Sequence, residues 1–132
     1  MKTPVSTVKR ILIVDDEPAI CQFCQRVLTE EGFEVDIASN GRIAMAMISE
    51  QEYDLYLFDI KMPIMDGKEL YEWLQEAYPS SASRVIFTTG SAIGKDTQNF
   101  LQRSGRKVLA KPFTPDELRT TLREALGVLK RS

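Results

Sequence analysis

The sequence predicts an α/β fold, a parallel five-stranded sheet with helices on both faces. Three observations carry this reading. Four short apolar runs and one alternating run have the length of strands, segments with helical apolar spacing follow them, and the two kinds of segment alternate along the chain. Such alternation implies parallel strands joined by right-handed crossovers, which place helices on both faces of the sheet.

The first run, Arg10–Val14, is apolar after its first residue and reads as a strand. Ile20, Phe23, Cys24, Val27 and Leu28 follow the i, i+3, i+4, i+7, i+8 rhythm of an amphipathic helix, which Gly32 can end. Glu34–Ala38 alternates polar and apolar residues, the mark of a more exposed strand. Ala44, Met47 and Ile48 suggest the second helix, and Asp54–Phe58 is the third strand. Leu70, Trp73, Leu74 and Ala77 give the third helix, closed by Pro79. Arg84–Thr88 is the fourth strand, and Ile93, Thr97, Phe100 and Leu101 outline a fourth helix ending near Gly105. Lys107–Leu109 is the fifth strand. In Thr114-Pro115-Asp116-Glu117 an N-cap Thr, a Pro at the first helical position and a Glu at the third make a capping box. Leu118, Leu122, Ala125, Leu126 and Leu129 then line one face of the last helix. Residues 1–9 are expected to be an N-terminal tail, 10–128 one domain and 129–132 a C-terminal tail.

The 132 residues are 43% hydrophobic and 27% charged, a composition that suits one domain with its own core. The net charge of −2 is unlike a nucleic-acid surface, so no direct nucleic-acid partner is expected. Ile11–Val14 and Leu55–Phe58, among the longest apolar stretches, are far too short to cross a bilayer. Met1–Arg10 is polar and basic, without the apolar centre of a signal peptide. Two cysteines make no disulfide framework, so a reducing cytoplasm is the expected compartment, with no membrane partner. The chain has no histidine, which excludes a Ser-His-Asp triad and a His-ligated zinc site.

Asp15 and Asp16 follow the first strand, and Asp59 follows the third. Functional groups of open parallel sheets gather at the carboxyl ends of strands. If strands one and three are neighbours, three carboxylates converge there and repel one another unless a cation sits among them; Mg²⁺ suits such oxygen ligands. The plainer reading of Asp15-Asp16-Glu17-Pro18 is a helix N-terminus, and Asp59 alone could start a turn. The combination at matching strand ends is the stronger signal. Thr89 ends the fourth strand before Gly90, whose missing side chain leaves room for a phosphoryl group. Lys111 ends the fifth, and its ammonium can hold a phosphate oxygen.

Together, Asp15-Asp16, Asp59-Ile60-Lys61-Met62-Pro63-Ile64-Met65-Asp66-Gly67, Thr89-Gly90 and Lys111-Pro112-Phe113 resemble the receiver domain of two-component response regulators. The resemblance covers residues 10 to about 126. It implies a flavodoxin-like (βα)5 fold with strand order 2-1-3-4-5 and a cis Lys111–Pro112 peptide. It implies Asp59 as phosphoacceptor, Asp16 and Asp59 as direct Mg²⁺ ligands, Asp15 as a ligand through water, and the Lys61 carbonyl as a further ligand. Thr89 and Lys111 would hold the phosphoryl group. The implied partners are a histidine kinase or histidine phosphotransfer domain, which supplies the histidine this chain lacks. A downstream output domain or protein would be reached through the face of the fourth helix, fifth strand and fifth helix. The chain would then be a signalling switch, standing alone or as the receiver of a hybrid histidine kinase. Val108 stands where the family often has Tyr or Phe, so that face must be read through other side chains. Lys61 and Ser91, two residues beyond Asp59 and Thr89, are expected to flank the path of a hydrolytic water and to favour slow self-dephosphorylation.

Two other classes fit less well. A haloacid-dehalogenase-type phosphatase wants a second Asp two residues after its nucleophile, and that residue here is Lys61. An unphosphorylated pseudo-receiver would not need Asp15, Asp16, Asp59, Thr89 and Lys111 together. Cys21 and Cys24 form C-x-x-C, but Cys24 belongs to an apolar helix stripe, so packing is the expected role.

Overall fold

The computed structural model describes residues 8–90 and 93–127. The elements are β1 (Arg10–Val14), α1 (Pro18–Glu30), β2 (Glu34–Ala38), α2 (Gly41–Glu50), β3 (Leu55–Asp59), α3 (Gly67–Ala77), β4 (Val85–Thr89), α4 (Lys95–Ser104), β5 (Lys107–Ala110) and α5 (Pro115–Leu126). One helical turn, Pro79–Ala82, links α3 to β4. The strands are all parallel, in the order β2-β1-β3-β4-β5. This is the flavodoxin-like order expected from the motifs.

Alternation of side chains along each strand divides the core in two. Leu12, Val14, Tyr56, Phe58, Val85 and Phe87 face α2, α3 and α4. Ile11, Ile13, Leu55, Leu57, Ile86 and Leu109 face α1 and α5. The central strands β3 and β4 are buried throughout, because helices cover both their faces, whereas the edge strands β2 and β5 are partly exposed. On the first face, rings meet edge-on from Tyr53 through Tyr56, Phe58 and Phe87 to Tyr71 and Phe100.

Three strands, β3, β4 and β5, end one residue later than the apolar runs. The Ile60 N–H donates to the Thr88 carbonyl at 2.9 Å, and the Lys111 N–H to the Thr89 carbonyl at 2.8 Å. The ladder therefore runs through Asp59 and Thr89, which are the last residues of their strands. Ala77 and Ala125 are exposed, because two buried side chains on α5 and four buried residues on α3 already meet the sheet. Leu129 and Ser91 lie outside the described residues. Both halves of the capping box on α5 are present, and Asp66 and Glu69 form a second one on α3.

Candidate functional site

The strand order sets the site. β1 and β3 pair with Val14 opposite Phe58, so Asp15 and Asp59 emerge side by side at the carboxyl end of the sheet. Thr89 leaves β4 one step beyond the Asp59–Thr88 pair, and Lys111 follows β5. Asp59 is 4% exposed and Asp15 2%. The Lys111 ammonium bridges them, with Nζ 3.0 Å from Asp15 Oδ2 and 3.4 Å from Asp59 Oδ2. Thr89 is buried, and its hydroxyl donates to the Gly90 carbonyl at 3.2 Å. A side chain at Gly90 would meet open space, so the room beside Thr89 does not depend on that glycine alone. The Lys111–Pro112 peptide is cis, as the motif implied.

The loop after β3 is shaped by close approaches. A Cβ on Gly67 would lie 2.4 Å from the Asp59 carbonyl oxygen, so only glycine lets α3 begin against the strand that carries Asp59. Gly41, at the start of α2, presses in the same way on Met65. Between them Ile64 adopts φ 72°, a left-handed conformation that costs a β-branched residue energy.

The electrostatics follow from burial. Loss of water pushes the Asp59 carboxyl up, the Asp15 charge pushes further, and Lys111 with the Lys61 backbone opposes; the result is about 6. Burial also raises Asp15, against the Glu17 amide and Lys111. Burial alone would lower the Lys111 ammonium, but its hydrogen bonds to Glu17 and Asp15 and the nearby charges hold it above its ordinary value. Cys21 and Cys24 are buried, and loss of water raises their thiols to about 11 and about 12. They are therefore protonated at neutral pH, which fits packing rather than thiolate chemistry.

Of the residues singled out in the sequence, Asp15, Asp59 and Lys111 meet directly. Lys61 presents its backbone to Asp59, while its side chain is exposed. Asp16 is exposed, and its carboxylate is not among the three that gather. The third is Glu17: single carboxylate oxygens of Asp15, Glu17 and Asp59 all lie within 4.8 Å of one another. Glu17 was legible only as part of a helix start, since nothing in the local sequence shows that its side chain reaches Lys111. A set of carboxylate oxygens around a buried acid whose charge is only partly offset fits a hard divalent cation such as Mg²⁺.

A carboxylate held at a strand end, with an ammonium beside it and acids that could hold a cation, can act as a nucleophile toward phosphorus. Comparison with known proteins gives a consistent picture. The sequence pattern described as the response regulator receiver domain matches residues 11–123. The transcriptional regulatory protein PcoR of Escherichia coli is 35% identical over 121 residues, covering 89% of this chain and 53% of its own length. The probable transcriptional regulator ycf29 of Porphyra purpurea is also 35% identical, over 82% of this chain and 52% of that protein. The chain thus spans about half the length of these relatives. Among solved structures, a CheY-like response regulator receiver domain protein of Methanospirillum hungatei superimposes with a TM-score of 0.83 at 36% identity, covering 92% of this chain and 95% of that one. The signal receiver domain of a signal transduction histidine kinase from Syntrophus aciditrophicus gives 0.81 at 29% identity, with 95% of each chain covered.

Proposed function

Because the chain belongs to the response regulator receiver domain family, we propose that Asp59 takes a phosphoryl group from a histidine on a partner protein. The observation that carries this reading is the buried Asp59 carboxylate at the end of β3, with Asp15 beside it and the Lys111 ammonium 3.4 Å away.

In the proposed step an Asp59 oxygen attacks phosphorus in line with the departing imidazole nitrogen. The new bond is O–P, the broken bond is P–N, and the electron pair stays on the imidazole, which takes a proton from water. Lys111 faces the negative charge on the phosphoryl oxygens, and the Thr89 hydroxyl turns from the Gly90 carbonyl to donate to one of them. Asp16 and Asp59 would hold Mg²⁺ directly, Asp15 through water and Lys61 through its backbone carbonyl. When bound, Mg²⁺ neutralises charge on the transferring group.

The partner is a histidine kinase or a histidine phosphotransfer domain in the cytoplasm, and residues 10–128 form the receiver unit. The signal leaves through the face of α4, β5 and α5. Val108 on that face is 42% exposed and offers no ring, so other exposed side chains there, Lys107 among them, carry the readout.

Acetyl phosphate with Mg²⁺ should add one phosphoryl group to the chain, seen by mass spectrometry, and Asp59→Asn should abolish it. Full labelling of the Asn variant at another residue would sink the assignment.

A further inference from the structure

Glu17 sits at the N-cap of α1, where a side chain ordinarily turns back to its own helix. It makes no capping hydrogen bond to the first turn of that helix. Its backbone N–H is spent on Asp15 Oδ1 at 2.8 Å. Its carboxylate instead crosses to the far end of the chain, where Oε1 lies 2.9 Å from Lys111 Nζ.

That contact is the shortest of three around the ammonium, ahead of Asp15 at 3.0 Å and Asp59 at 3.4 Å. An ammonium has three donors, and here each has a carboxylate. Glu17, whose side chain is 58% exposed, forms the outer wall, and the buried Asp15 and Asp59 form the inner one. A lysine is a point charge on a flexible stem, so its charge stays where its partners hold it. Without Glu17, one donor turns to water, and Asp15, the nearer of the two remaining acids, draws Nζ toward itself.

We infer that Glu17 is a positioning residue: its carboxylate holds the Lys111 ammonium at Asp59, so that the charge is in place when phosphoryl oxygens arrive. This rests on the receiver reading of Asp59.

The test uses the whole chain with Glu17→Ala and Glu17→Gln. Heteronuclear NMR follows the Lys111 ammonium, whose hydrogen bonds and low exposure slow its exchange with water. Its signal should broaden away in the Ala variant and persist in the Gln variant, which still offers an oxygen acceptor. At saturating Mg²⁺, phosphorylation by acetyl phosphate should slow by about three- to tenfold for Ala and by less than about threefold for Gln. An unmoved ammonium signal with an unchanged rate overturns the inference, whatever the melting temperature does. So does faster phosphorylation of the Ala variant, which would make Glu17 a brake. So does a loss cured by raising Mg²⁺ alone, which would make Glu17 a metal ligand. If the wild type takes no phosphoryl group at all, the receiver reading fails by itself, and the ammonium signal still decides for or against Glu17.

Discussion

Replacing Asp59 by Asn should stabilise the protein at neutral pH when divalent cations are removed. The folded state raises the Asp59 carboxyl from 3.8 to about 6, through burial first and the Asp15 charge second. A raised acid contributes stability that is fully present below 3.8 and is lost as the pH rises through about 6. That change corresponds to about 3 kcal/mol at most. The Asn amide is also buried, and its donors must compete for acceptors, so a net gain of about 1–2 kcal/mol is expected. In a domain of this size that is a rise of roughly 3–8 °C in melting temperature. Urea denaturation in chelator, followed by the fluorescence of the single Trp73, reads the effect directly. The gap between variant and wild type should be small near pH 4, grow through pH 6 and level off by about pH 7. Added Mg²⁺ should stabilise the wild type more than the variant and narrow the gap. An Asn variant no more stable than wild type at pH 7 in chelator, or a gap that does not change between pH 4 and 7, would refute the electrostatic account.

Four further outcomes are expected. Asp16→Ala should weaken Mg²⁺ binding more than Asp15→Ala in calorimetry, because of these two only Asp16 is proposed to touch the ion directly; equal affinities would remove Asp16 from the ligand set. Lys61→Ala should speed loss of the phosphoryl group if Lys61 shields it from water, and an unchanged rate would make Lys61 a bystander. Tyr56 is buried with its hydroxyl unpartnered, so Tyr56→Phe should be neutral or stabilise by about 1 kcal/mol. Tyr53 donates to Asp36 at 2.7 Å and accepts from Gln51 at 2.8 Å, so Tyr53→Phe should cost about 1–2 kcal/mol. Chemical denaturation of the pair checks both, and a clear loss from Tyr56→Phe would mean that its hydroxyl has a partner in solution.

The fold was legible because its periodicity is local. Apart from the short turn Pro79–Ala82, each strand and helix announced itself by spacing, and strict alternation left few topologies. The site was legible to the extent that it lies at strand ends, which apolar runs mark to within a residue. Asp59 closed its strand instead of following it because the backbone donor of Ile60 extends the ladder. Side-chain direction was the part that spacing could not supply. Asp15, Asp16 and Glu17 are consecutive, yet Asp15 is buried, Asp16 faces solvent, and Glu17 turns in to meet a lysine 94 residues away. That choice depends on where β5 ends in space. The left-handed Ile64 and the unpartnered Tyr56 hydroxyl carry no local signal either.

The contact between Gly67 and Asp59 makes the two flanks of the site mechanically unequal. There is no space even for a methyl group between α3 and the Asp59 carbonyl, so that helix is seated hard against the strand that carries Asp59. On the other flank, α4 is seated chiefly by two buried side chains, Phe100 and Leu101, with the Phe100 ring against Tyr71 and Phe87. Displacing it would uncover part of two side chains, a cost of a few kcal/mol at most, comparable with what one new charge-assisted contact can return. A perturbation at Asp59 therefore meets a yielding flank and a rigid one. If Asp59 takes the phosphoryl group as proposed, the rigid flank matters to the response as much as the yielding one.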